Sequence, residues 1–237
     1  MRWCGSTSIG RWPSASAEPV GAERPRSVEA ITSSKPPKSS TVHRRSLLLL
    51  SLATWQRVIW AAPADESPVK IAGVAFDRRA LVAGTELRLN GVGVRGWFKA
   101  YAAGLYLPSP AASAAEVEAM AGPKRLQLRM RFEIPAGEFV KALRTGLTRN
   151  ASPEALPRLS ARMERFASTI EALGTVHDGD LVNLDFEPDR GLVFSVNGTL
   201  RGSPLAGDDF YTALLRAFIG EKPYDDKLKS GLLGQHA

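Results

Sequence analysis

From Leu89 to Leu107 the chain reads LNGVGVRGWFKAYAAGLYL, two apolar segments hinged at Lys99 and halted by Pro108 and Pro110. Interrupting glycines and large rings suit pleated strands better than a helix, so the run predicts two neighbouring strands. Side chains alternate along a strand. That puts Val92, Val94 and Phe98 on one face and Gly93, Arg95 and Trp97 on the other, with one guanidinium set among glycines and rings. In the second segment Tyr101, Ala103, Leu105 and Leu107 share one side, and Ala102, Gly104 and Tyr106 the other. Neither face is dependably polar, and a strand with two apolar faces is usually covered on both.

Gly91, Gly93 and Gly96 also spell GxGxxG, a dinucleotide fingerprint that requires a strand before it and a helix after it. The residues after Gly96 read as strand, and no crossover helix with a second parallel strand fits before Glu116, where a ribose-binding acid would stand. The nucleotide reading is rejected.

Structure-forming sequence starts late. Residues 1–42 are rich in Ser, Pro, Arg and Gly with little periodicity, which marks a disordered or mis-annotated extension. His43-Arg44-Arg45-Ser46, the apolar run from Leu47, and Ala62-Pro63-Ala64 together form a signal peptide over 43–64, with cleavage expected after Ala64. The run stops at Gln56-Arg57, short of the ~20 residues of a spanning helix, so export is favoured over a membrane anchor. Arg44-Arg45 before leucines resembles a twin-arginine signal. Because the signal lies well inside the chain, translation is expected to start downstream of Met1, with Val42 as one candidate. The mature domain is then 65–237, periplasmic or secreted.

Charge changes meaning once the first 64 residues are set aside. They hold 9 of the 31 Lys and Arg and 3 of the 24 Asp and Glu, leaving 22 basic against 21 acidic. A near-neutral domain lacks the basic surface that nucleic acid needs. Cys4 falls in the discarded part, so the domain has neither a disulfide nor a cysteine nucleophile. His177 and His236 stand far apart, which gives no metal site, and no cofactor is expected. No oligomeric state is implied.

Within the domain, strands are expected at Val69–Phe76, Thr85–Leu89, Val92–Phe98 and Tyr101–Leu107, followed by a helix over Ala112–Met120. Arg125–Phe132 alternates Leu126, Leu128, Met130 and Phe132 against Arg125, Gln127, Arg129 and Arg131, so its arginine face is expected in solvent. Helices follow at Glu138–Leu147 and after the cap sequence Ser152-Pro153-Glu154, with a stripe of Leu159, Met163, Phe166, Ile170 and Leu173. Pro157 is expected to disturb the start of that helix. Arg158, Arg162 and Arg165 beside the stripe read as a solvated face. Leu181–Phe186 and Leu192–Val196 return to strand, with Asn197-Gly198 as a hairpin turn. Asp208 or Asp209 caps a helix to Gly220, and Asp225–Leu232 is a last short helix. Strands and helices segregated in this way indicate an α+β domain.

Gly91-Val92-Gly93-Val94-Arg95-Gly96, Lys99–Leu107, and Phe210–Gly220 with Lys222-Pro223 and Lys229 resemble the chalcone isomerase family, and more closely its exported bacterial chalcone isomerase-like members. The resemblance implies an open-faced β-sandwich, a large antiparallel sheet covered by a helical layer with a ligand cleft between. In plant chalcone isomerases the matching arginine binds the flavonoid and stabilises negative charge during ring closure, a role that would fall on Arg95. Such closure depends on near-attack geometry and a stabilised enolate. Where those enzymes have threonine this chain has Tyr101, and no further catalytic residue is matched between Phe139 and Phe166.

Non-catalytic relatives bind fatty acids, carboxylate to arginine and tail in an apolar cleft. The resemblance therefore implies binding of a small amphipathic anion, with Arg95 and Tyr101 as ligand-binding residues. The alternative is an isomerase of the intramolecular-lyase type on an unknown substrate, with Arg95 and Tyr101 catalytic. A third reading is a protein that binds no small ligand and acts through its surface. A buried Arg95 would in any case need an anion, either a ligand or an internal acid such as Asp185 or Glu187.

Overall fold

The structure is a computed structural model that describes residues 67–95 and 100–235. The expected extension, the signal peptide, Trp97, Phe98 and His236 lie outside the described residues.

The chain opens with two hairpins, the first of them where a single strand over Val69–Phe76 was expected. β1 (Val69–Ile71) turns into β2 (Val74–Phe76) through Ala72-Gly73, and β3 (Arg79–Val82) turns into β4 (Thr85–Val94) through Ala83-Gly84. All four turn residues have positive φ, the twist that two-residue hairpin loops require. Alanine in place of asparagine hid both turns from the sequence pattern.

The two strands expected at Thr85–Leu89 and Val92–Phe98 are one strand, β4, bulged between Leu89 and Gly91. The bulge frees Asn90 to bond elsewhere. Its Nδ2 donates to the carbonyls of Ala111 and Leu232, and its Oδ1 accepts from the Ala111 amide. β5 (Tyr101–Leu107) is as expected and wholly buried.

α1 (Ala114–Ala119) is capped by Ser113, whose hydroxyl accepts from the Glu116 amide. β6 (Lys124–Met130), the short pair β7 (Ile134–Pro135) and β8 (Thr175–Val176), α2 (Ala136–Asn150) and α3 (Leu156–Glu171) follow. Pro157 lies in the first turn of α3, where it costs no hydrogen bond, so it starts the helix without disturbing it. β9 (Leu181–Glu187), β10 (Gly191–Val196) and β11 (Thr199–Leu200) return to sheet through the Asn197-Gly198 turn. α4 (Asp208–Ile219) is preceded by Gly207, so both aspartates sit in its first turn instead of capping it. α5 (Asp226–Leu232) is capped by the Asp225 side chain.

Seven antiparallel strands form the main sheet in the order β11-β10-β9-β6-β5-β4-β3. The helices cover one face, and the main core, including Leu105, Leu126, Leu184, Phe210 and Leu214, lies between the layers. This is the expected α+β architecture. On the other face the β1–β2 hairpin lays Phe76 over Val92 and Ala102.

That second face corrects the expected solvent exposure of the β6 arginines. Arg125 makes a two-pronged contact with Asp185 at 2.7 and 2.6 Å, and Gln127 donates to Asn183 at 3.0 Å. Gln127, Asn183 and Asp185 are all buried. Likewise Arg162, expected in a solvated row, clamps both Asp209 oxygens at 2.6 Å.

Candidate functional site

Glycine decides how the site is assembled. A Cβ on Gly91 would collide with the carbonyls of Gly231 and Leu232, and one on Gly93 with the carbonyl of Leu228. The glycine-lined face of β4 is thus where the backbone of α5 rests directly on the sheet. This packing brings Tyr224 and Asp225, just before α5, to the end of β4 where Arg95 emerges.

Register supplies the second neighbour. Val94 pairs with Ala102, and the Arg95 amide donates to the Tyr101 carbonyl at 3.2 Å, so Arg95 and Tyr101 are cross-strand neighbours on the helix-facing side. The guanidinium carbon lies 5.9 Å from the Tyr101 ring centre and 5.3 Å from that of Tyr224. Tyr101 stacks on Phe139 of α2 at 6.3 Å. Tyr224 donates its hydroxyl to the Ala142 carbonyl at 2.9 Å and meets Phe218 edge-on at 5.1 Å.

These residues frame the opening of a narrow slot between sheet and helices that is nearly closed in this structure, about 40 Å³, so a ligand must part its walls to enter. Leu128, Val182, Leu184 and Phe194 line it from the sheet. Leu143, Phe166 and Ile170 line it from the helices. Arg95, Tyr101 and Tyr224 are the only lining residues among those described that carry a polar group, and all three are at one end. Outside that end a wider depression includes Glu133, Glu138, Lys141, Thr145, Arg149 and Asp225. Arg95, Phe139, Ala142 and Tyr224 belong to both, and so form the neck.

The electrostatics of the neck follow from burial. Desolvation pushes the Tyr101 phenol up to about 12, and the charge and hydrogen bond of Arg95 pull it back only in part. Burial raises Tyr224 as well. Both phenols are neutral hydrogen-bond donors at physiological pH. Arg95 is half-buried, and among the described residues no carboxylate forms an ion pair with it. Of the internal acids expected to serve it, Asp185 lies on the opposite face with Arg125, and Glu187 pairs with Arg190 at 2.9 Å.

A chalcone isomerase-like family model matches residues 68–234. The chain belongs to the chalcone isomerase-like family. Among solved structures, an Arabidopsis thaliana fatty-acid binding protein superimposes with a TM-score of 0.54 at 17% identity, over 70% of this chain and 96% of that one. At that identity the likeness concerns the fold. No curated protein sequence matches.

For this chalcone isomerase-like chain the structure brings both sequence candidates, Arg95 and Tyr101, to one neck. It adds Tyr224 and Phe139, which sequence reasoning passed over. The signal for Tyr224 was its place between Pro223 and the α5 cap at Asp225; Phe139 falls on the helix expected over Glu138–Leu147. Tyr106 faces the other way, packed with Val82 and Leu87 of β3 and β4. Among the described residues no group of three His, Cys, Asp or Glu could hold a metal ion, and no helix is long and apolar enough to cross a membrane.

Proposed function

We propose that this protein binds a small amphipathic anion, a fatty or aromatic carboxylic acid, with its head at Arg95 and its tail in the apolar slot. The carrying observation is the placement of Arg95, a half-buried cation without a carboxylate partner among the described residues, at the one polar end of an otherwise apolar slot. A guanidinium can hold a carboxylate through two parallel hydrogen bonds, and the neutral Tyr101 phenol supplies a further donor. The binding activity named for the Arabidopsis protein supports the same reading. Export of the domain, with a signal over 43–64, places this binding in the periplasm or outside the cell; N-terminal sequencing of the mature protein tests that, with Asp65 as the expected first residue.

Native mass spectrometry of gently purified protein, followed by titration with saturated fatty acids, tests the binding. A carried acid lost in Arg95→Ala is expected, with affinity reduced by roughly 2 kcal/mol, a factor of about 30. An unchanged affinity in Arg95→Ala, or no acid bound by the unaltered protein, overturns the reading.

One observation favours isomerase chemistry as a second reading. Arg95 beside a neutral phenol could stabilise a developing enolate oxygen. However, the helices contribute only apolar groups to the slot among the described residues, and a phenol pushed to about 12 is a poor base. Cyclisation of a chalcone above the spontaneous rate, abolished by Arg95→Ala, would establish that reading.

A further inference from the structure

We propose that the edge-to-face pair of Phe166 and Phe194 is the closed floor of the slot and sets the length of tail the protein accepts, an inference that rests on Arg95 being the anchor of an acid. The slot starts at Arg95, where β4 ends, and crosses β5 at Tyr101, β6 at Leu128 and β9 at Val182 and Leu184 before reaching β10 at Phe194. Neighbouring strands lie about 4.8 Å apart, so Tyr101 to Phe194 spans three steps, roughly 14 Å. Beyond β10 lie β11, two exposed residues, and the bridge from Leu192 to the buried Leu205, and neither lines the slot.

The floor is braced from behind. Phe166 of α3 meets Phe194 at 5.4 Å and 88°, and meets Phe210 of α4 at 6.1 Å and 89°. Phe210 has no exposed surface and is not among the residues that line the slot. Phe166 therefore cannot swing away from an arriving tail without displacing a buried ring, and close-packed interiors resist that. With the head fixed at Arg95 and the far end fixed at Phe194, the slot acts as a ruler. A short acid leaves apolar wall uncovered, and one that is too long lifts its carboxylate off Arg95.

A tail could instead turn out between Leu173 and Val176, which also border a shallow depression containing His177, Asp180 and Arg201. That route sets methylenes against polar groups, so the structure favours the aromatic floor.

The test is a titration of the full chain with straight-chain saturated acids of increasing length, by displacement of a fluorescent fatty acid, with thermal melts as a check on folding. The unaltered protein should show an optimum length. Phe194→Ala should move the optimum to longer acids and raise affinity for the longest relative to the shortest by about tenfold, the worth of roughly two buried methylenes. Phe194→Leu should shift it less in the same direction and guards against misfolding of the alanine variant. Phe210→Leu, which loosens the brace behind Phe166, should shift the optimum in the same direction by less than Phe194→Ala. An optimum unmoved in both Phe194 variants, or moved by Val176→Phe but not by them, overturns the ruler alone. Failure of the unaltered protein to bind any acid overturns the functional reading beneath it, before any variant is needed.

Discussion

The main sheet carries an arginine beside a tyrosine on each of its two faces, and the two pairs have opposite fates. On the outer face Arg125 lies across from Tyr106 in register and grips Asp185 with both prongs at 2.7 and 2.6 Å. On the helix-facing side Arg95 lies across from Tyr101, with Tyr224 on its other flank and no carboxylate paired to it among the described residues. The same residue types at similar strand positions therefore do different work. Arg125 is consumed by the fold, whereas Arg95 is left able to take an anion from outside.

The largest effect should come from the occupied site. Asp185→Ala leaves a guanidinium whose side chain is only 17% exposed without its partner. Breaking a buried pair costs about 3 kcal/mol or more, which for a domain of this size is a fall in Tm of roughly 6–12 °C. The double variant Arg125→Met, Asp185→Leu should recover most of it, because well-packed apolar replacements are often neutral. A single-variant loss below about 1 kcal/mol would mean that Arg125 is no more committed than Arg95.

Glycines give the next contrast. Gly91→Ala sets a methyl group against the backbone of α5, which cannot yield by rotating a side chain, so a loss of about 2 kcal/mol is expected. Acid affinity should fall too, because α5 positions Tyr224 beside Arg95. Gly104→Ala, on the outer face, meets the side chains of Phe76 and Leu89, which can shift. It should cost less and leave binding unchanged. Chemical denaturation together with acid titration of both variants separates the two faces; equal losses of binding would break the distinction.

What could be read from the sequence divides along similar lines. The β4–β5 alternation put Arg95 and Tyr101 beside glycines and rings, and the stripe of Leu159, Met163, Phe166 and Ile170 gave the buried face of α3, because both are local periodicities. Asn197-Gly198 announced its hairpin through turn chemistry, whereas Ala72-Gly73 and Ala83-Gly84 hold the same left-handed conformations with a residue that does not advertise them. The buried arginine face of β6 was missed because alternation of polar and apolar residues cannot tell solvent from a partner strand that offers Asp185 and Asn183. Tyr224 reaches the site only through the contact of α5 with Gly91 and Gly93. Nothing near Arg95 in the sequence points to it.

Alkaline titration sharpens the comparison through the two phenols. Burial raises both Tyr101 and Tyr106 from 10.0 to about 12. Each holds its proton more tightly in the folded chain than in the unfolded one. The stability this brings is complete below about pH 10 and is lost as pH rises through 12, at about 1.4 kcal/mol per pH unit for each phenol. Tyrosinate absorbance should show both titrating late. In Arg95→Met the Tyr101 transition should move higher still, since the cation that partly offsets its burial is gone, while Tyr106, which faces Arg125 and Arg129, stays in place. A shift in Tyr106 instead would mean that the faces are coupled.

The smallest expected change in stability is that of Arg95→Met itself. The methionine side chain keeps much of the stem packing beside the two tyrosines, and no ion pair among the described residues is lost. What goes is the attraction of the guanidinium for two ring faces, about 0.5–1 kcal/mol each at exposed sites, against which stands relief from keeping a half-buried charge unpaired. These terms nearly cancel, so thermal unfolding should move by no more than about 0.5 kcal/mol. The same substitution should abolish retention of a carboxylic acid. Stability kept and binding lost is the signature of a residue held for a ligand. A loss comparable to that of Asp185→Ala would instead make Arg95 a second structural arginine and erase the difference between the two faces.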